Sequence, residues 1–331
     1  MIPSRERACH RVLGALGLAL ALGSAASLAQ DAGAWPARTI QIVVPYTPGT
    51  GADILARILG PKLAERWKIA VVTDNRAGAS GNIGADFVAK SAPDGHTLLC
   101  TATSFSTNPA LHPQLPYDPI KSFEPVVLLA TNVATVLVNP QLPVTSAREL
   151  IELAKREPGK LYYASPGNGT PQHLAMELLK LQAHIDLVHV PYKATGGALT
   201  DLVAGHVQAM VVPLQTAAPY VHGGKLRMLA VMSAERSPAF PKVPTLKELD
   251  LPDLEVDTWY GVFAPAGAPR AVVAKLNAEL NVLLRQPDIR ELLAKQGMIP
   301  GGGTPERFGD LVKKELARWS RVVATAGIKA D

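Results

Sequence analysis

From Thr39 onward, short apolar runs alternate with segments of helical period, and a glycine-bearing turn repeatedly joins them. "IQIVVPY" reads as a strand and "ADILARILGPKLAERW" as a helix, in which Pro61 predicts a kink or break. "AVVTDN" and "GNIGADFVAK" repeat the pair, and "HTLLCTAT" is a third strand. The middle of the chain restarts the scheme. "LYYAS", a Gly-rich turn and the helix "PQHLAMELLKLQA" lead into "LVHVPY", "GGALTDLVAG", "VQAMVVP", a short helix near 217–222 and "KLRMLAVM". The last third is mostly helical, ending in a helix that Thr304 caps with Pro305 in its first turn. Such alternation with short connections demands a largely parallel α/β sheet. Two βα-rich blocks predict two lobes, with "LLATNVATVLVNP" and "VDTWYGVFAPAGAP" running between them. A ligand is then expected in the crevice at the carboxyl ends of the strands.

The first thirty residues stand outside this pattern. Arg5, Arg7 and Arg11 precede the uncharged "VLGALGLALALGSAASLA", and Ser27-Leu28-Ala29 offers small residues at a cleavage point. This reads as an export signal over 1–29, removed near Ala29, and the mature protein is expected in a bacterial periplasm. Cys9 leaves with it, so Cys100 is alone and no internal disulfide forms. Removing the signal takes three Arg and Glu6 from a formal net charge of +5 and leaves +3, too small and too scattered to suggest nucleic acid as a partner.

The turn "VPYTPGTGADILAR", Val44 to Arg57, ends a strand and opens a helix. Helix-start N–H groups lack intrahelical partners and sit at the positive end of the macrodipole, so the turn is a seat for an anion. It is neither a P-loop, since Ala52-Asp53 stands where Lys-Ser/Thr is required, nor a dinucleotide fingerprint, since no third Gly follows Gly51 at the right spacing. Asp53 is placed to cap or charge the first turn. "YASPGNGTPQHLAME", Tyr163 to Glu177, repeats the arrangement with Ser165 and Thr170 adding hydroxyls, and neither turn contains Arg or Lys. A third stretch, "ATSFSTNPAL", reads as a polar loop. No nucleophile elbow or H-E-x-x-H appears, Ser165 has no base partner readable nearby, and His173 with Glu177 lacks a third metal ligand. Neither metal nor cofactor is expected.

"PYTPGTGADILAR", "NRAGASGNIGADFVAKSAPDGHTLL", "NPALHPQLPYDPIKSFEPV", "GKLYYASPGNGTPQHLAMELL", "VHVPYKATGGALTDLVAGHV", "GKLRMLAV" and "WYGVFAPAGAP", in this order, resemble the extracytoplasmic substrate-binding receptors of the tripartite tricarboxylate transporters, or Bug family. The resemblance spans about Trp35 to Lys329. It implies an α/β, two-lobed, periplasmic-binding-protein-like fold (type II, Venus flytrap) with a hinge between the lobes. Residues 35–131 and 255–331 would form lobe 1, and 132–254 lobe 2. It also implies a small carboxylate ligand, delivery to integral-membrane permease subunits, and a monomer. The resemblance implies a first-lobe seat of Tyr46, Thr47, Pro48, Gly49 and Thr50, flanked by Ser104, Ser106 and Asn108. The second-lobe seat would be Ser165, Gly167, Asn168, Gly169 and Thr170, with His173 behind it and Tyr192 nearby.

The chain departs from the family pattern at Thr50, where a second Gly is usual and backbone approach is expected to be restricted, and at Ala77, Ala194, Gln208 and Val212. Members often carry Asp at the last two positions. If Val212 lines the pocket, its lack of charge disfavours a ligand amine, so the expectation is a carboxylate without an amino group, partly apolar or aromatic. The alternatives are an exported enzyme acting on a small organic acid, or a receptor presenting ligand to a sensor kinase.

Overall fold

In the computed structural model, which describes residues 35–112, 114–251, 254 and 256–328, one sixteen-residue strand ties the sheet together. The strands are β1 (Ile40–Val44), β2 (Val71–Asn75), β3 (Thr97–Ala102), β4 (Phe123–Val138), β5 (Tyr162–Ser165), β6 (Val188–Pro191), β7 (Ala209–Pro213), β8 (Arg227–Val231), β9 (Asp257–Pro265) and β10 (Met298–Pro300). The helices are α1 (Gly51–Trp67), α2 (Asn82–Ala89), α3 (Ser104–Leu111), α4 (Ala147–Arg156), α5 (Pro171–Ala183), α6 (Thr195–Ala204), α7 (Leu214–His222), α8 (Arg270–Arg285), α9 (Pro287–Lys295) and α10 (Pro305–Ala326). Residues from Arg38 on form one unit, and the export signal read at 1–29 lies outside the described residues.

The strand order is β2-β1-β3-β9-β4-β7-β5-β6, with β8 and β10 also paired to β4. The βα units give parallel pairs at β1–β2, β1–β3, β5–β6 and β5–β7. Between Phe123 and Val133, β4 pairs antiparallel with β9; from Ala134 to Val138 it pairs antiparallel with β7, and β8 joins it from Thr135. The two halves are therefore two lobes sharing a strand. Each has its own core, one around the aromatic cluster Phe105, Phe123, Trp259, Phe263 and Phe308, the other around Tyr163, Leu174, Met176 and Leu179.

Helix α10 serves both cores. Thr304 caps it by accepting the Arg307 N–H, and the helix buries Phe308 and Val312 in the first core, then Trp319, Val322 and Val323 in the second. Each such side chain contributes roughly 1.5–3 kcal/mol on burial, so the helix fastens the two lobes to each other.

Two local expectations are corrected. Helix α1 runs through Pro61 without a break, because Leu55, Leu59 and Leu63 on both sides of the proline are buried, which outweighs one missing backbone hydrogen bond. The polar stretch 104–111 is helix, not loop. Its Phe105 ring packs 4.8 Å from Phe263 and 5.2 Å from Phe123, and that burial overrides a polar composition and an internal Pro109.

Candidate functional site

The first turn follows β1. Tyr46 turns its hydroxyl inward, 2.8 Å from Thr101 Oγ1 and 2.5 Å from Ser104 Oγ, while Thr47, Pro48 and Gly49 are exposed. Burial pushes the Tyr46 hydroxyl pKa up, against the lowering by Ser104 and Thr101, so it keeps its proton at neutral pH. Thr50 takes an ordinary extended conformation (φ −74°, ψ 161°), so its side chain brings no backbone strain; the left-handed position is Gly49, at φ 86°. Thr50 Oγ1 donates to Thr47 O and does not cap α1.

Asp53, almost fully buried, braces this turn from behind. Its carboxylate accepts Gly49 N–H at 2.9 Å, Asn75 Nδ2 at 2.9 Å and Arg57 Nε at 2.9 Å. Burial alone would raise its pKa, but the hydrogen bonds from Arg57, Gly49 and Asn75 prevail and hold it low. The nearby cation is thus neutralised, and the positive potential left at the α1 start comes from the helix itself.

The third stretch divides. Ser104 reaches the turn through Tyr46. Ser106 is buried, and Asn108 donates to Ser80 O at 3.0 Å and to Asn82 Oδ1 at 2.8 Å, tying α3 to residues 80–82.

The second turn follows β5 and is closed on itself. Gly167 N–H donates to Ser165 Oγ at 3.1 Å, Gly169 N–H to His173 Nδ1 at 3.0 Å, and Thr170 N–H to Gly167 O. Thr170 caps α5 by accepting His173 N–H. Tyr192 N–H donates to Ser165 O, and its hydroxyl donates to Asp201 Oδ2 at 2.6 Å. Burial and the Asp201 carboxylate push that hydroxyl up to about 12.

Sequence reasoning missed His189. Strand register sets Tyr163 of β5 opposite His189 of β6, and the Tyr163, His189 and His173 rings stack, the two histidines 3.9 Å apart. His189 Nε2 lies 2.6 Å from Ser165 Oγ, so the serine does have a base beside it, but it is fully buried and held by Gly167. Below the stack, Tyr163 donates to Glu177 at 2.5 Å and Lys180 donates to the same carboxylate at 2.7 Å. His173 and Glu177 are therefore engaged apart from each other, and the described residues contain no group of three or more His, Cys, Asp or Glu able to hold a metal.

Two routes show how close the turns lie. Helix α3 touches Tyr46 with its first residue, while its last, Leu111, lies so near Gly169 that a Cβ there would stand 2.7 Å away. Eight residues at ~1.5 Å each make this span about 12 Å. On the other side, the Tyr260 hydroxyl of β9 would be 2.4 Å from a Cβ at Gly51, the first residue of α1. Thr258, two residues earlier and so on the same strand face, lines a small cavity with Pro171, Gln172 and Val212 at the start of α5. Both helix starts thus approach one short stretch of β9. Val212 is buried beside the α5 start, whereas Gln208 hydrogen-bonds Tyr162 N and Gly205 O at the opposite end of the strands.

The pattern of the tripartite tricarboxylate transporter family receptor matches residues 55–328. The chain belongs to this family. Its sequence is 41% identical over 316 residues to the UPF0065 protein in the tcbD-tcbE intergenic region of Pseudomonas sp. (strain P51), covering 95% of this chain and 94% of that protein. The structure is similar to that of R. palustris Rpa4515 with adipate (TM-score 0.74, 36% identity, 89% of this chain and 99% of that one). It is also similar to the periplasmic binding protein BugD (TM-score 0.71, 31% identity, 90% and 100%). These family receptors are two-lobed periplasmic solute-binding proteins, and the shared strand β4 with paired strand–turn–helix units is this chain's version of that architecture.

Proposed function

We propose that this receptor is exported, captures a small carboxylate between the Tyr46–Thr50 and Ser165–Thr170 turns, and passes it to membrane permease subunits without transforming it. The observation carrying the reading is the convergence of the α1 and α5 starts on Thr258–Tyr260 of β9. Positive helix-start potential with no Arg or Lys in either turn suits an acid held by backbone and hydroxyl groups. The ligand bound to Rpa4515, adipate, is such an acid with an apolar middle. Val212, uncharged beside the α5 start, leaves a ligand ammonium without a counter-charge, so the preferred ligand lacks an amino group. Residues 35–131 and 255–331 form lobe 1 in this reading and 132–254 lobe 2, with ligand shifting the lobes toward closure by its differential affinity for the closed form.

The Ser165–His189 contact is the one feature favouring an exported hydrolase. The burial of Ser165, and the Gly167 N–H already on its oxygen, support the receptor reading over that one.

A melting-temperature screen of the purified protein against adipate, glutarate, succinate, malate, citrate, benzoate and glutamate tests the reading. A ligand at a hundredfold its dissociation constant should add about 2.7 kcal/mol of stability, with the acid recovered unchanged. Ser165→Ala and Thr170→Val should weaken that response. No shift with any acid, or turnover of one, overturns the proposal; glutamate outranking its deaminated counterpart overturns the amine-free preference.

A further inference from the structure

Tyr260 was no part of the expected site, yet its hydroxyl overhangs the α1 start closely enough that only glycine fits at position 51. What holds the ring there is on the neighbouring strand. Asn132 of β4, itself buried, is opposite Thr258 in register, and directly opposed residues share a sheet face. Asn132, Thr258 and Tyr260 are therefore one polar group on β4, the strand the two lobes share, and its neighbour β9, between the helix starts. The buried Asn132 Oδ1 is without a partner, and the Asn132 side chain works against the burial that raises the Tyr260 pKa. The Tyr260 hydroxyl stands beside the first N–H groups of α1.

Resting on the carboxylate-receptor reading above, we propose that Tyr260 is a ligand-binding residue, donating its O–H to the carboxylate seated at the α1 start, and that Asn132 is the positioning residue that orients it. A phenol donor adds direction to a seat otherwise made of backbone, and favours an acceptor-only group over a neutral amide or an amine. The proton is available throughout the physiological range, since burial raises the Tyr260 pKa. The titratable neighbours Tyr46 and Cys100 are also held protonated, the thiol pushed up to about 12, while Asp53 stays ionised.

The test is adipate and malate titration, by calorimetry, of wild type, Tyr260→Phe and Asn132→Asp. Tyr260→Phe should keep its unliganded melting temperature and lose about tenfold in affinity, the worth of one hydrogen bond to a charged group. In Asn132→Asp an ionised carboxylate accepts the Tyr260 hydrogen and withdraws it from the ligand; a buried Asp titrates high, so protonation restores a donor. The deficit of that variant relative to wild type, measured at matched pH so that ligand titration cancels, should be large at pH 8 and shrink toward pH 5. Equal affinity in Tyr260→Phe and wild type overturns the proposal, and if that variant does not fold, a pH-independent deficit in Asn132→Asp does so. Wild type that binds neither these acids nor any other in the screen overturns the receptor reading itself.

Discussion

The two turns look alike as strings of residues and differ as objects. The first is open at its helix: Thr50 caps nothing, and the only turn N–H engaged by the brace behind it is Gly49, on Asp53. In the second turn the N–H groups of Gly167, Gly169 and Thr170 all have partners within the lobe, Pro171 has no N–H, and Thr170 takes that of His173. A uniform pair of amide seats, the arrangement the sequence suggests, is thus replaced by an asymmetric one. In the function proposed above, the charged end of a ligand goes to the α1 start, where Thr50 makes no cap, and the second turn supplies a preformed wall. The supports differ too. The first turn stands on a surface-facing ion pair and an asparagine, the second on a buried aromatic stack with Glu177 and Lys180 beneath it.

If that division is right, removing each support should have a different size and a different pH signature. The largest effect is expected for Glu177→Ala, which strands the buried Tyr163 hydroxyl and the largely covered Lys180 ammonium. Breaking such a network by one partner costs about 3 kcal/mol. Urea unfolding at pH 7 measures it, and a loss under 1 kcal/mol would mean the stack alone carries the second turn. Asp53→Asn comes next, at about 1.5 kcal/mol for charge-assisted bonds that become neutral ones. Because the Asp53 pKa is lowered by folding, its contribution is complete above the unfolded value near pH 4 and fades as the pH falls through the lower folded value. The wild-type advantage over Asp53→Asn should therefore be full at pH 7 and fall away with acidification below pH 4; a difference that persists unchanged in acid would break the assignment of that turn to ionic bracing.

The fold was legible because strand and helix periods are local. Val43 and Val44 on one side of a glycine turn and Leu55, Leu59 and Leu63 on the other announce a βα unit without tertiary help. The same locality hid much of the site. His189 is twenty-four residues from Ser165 and reaches it only through the β5–β6 register. Asn132 and Tyr260 sit in apolar passages where one polar residue looks incidental; the period of two in β9 could have put Thr258 and Tyr260 on one face, but not against Gly51. Ser106 and Asn108 misled in the opposite sense. Their composition reads as an exposed loop, and the burial of Phe105 among aromatics from β4 and β9 makes it a helix instead.

The smallest effects sharpen the comparison most, because they concern equivalent residues. Thr50 and Thr170 each precede a helix and adopt the same extended backbone (φ −74°, ψ 161° and φ −65°, ψ 153°). Only Thr170 accepts a first-turn N–H, through its hydroxyl. Thr170→Ala should then lose about 1 kcal/mol, the usual worth of a cap, while Thr50→Ala should lose no more than a few tenths. Chemical denaturation of the two variants side by side decides it without any ligand. Equal losses would mean that Thr50 caps α1 in solution, which would close the helix end where the carboxylate is placed and move the charged seat to the second turn.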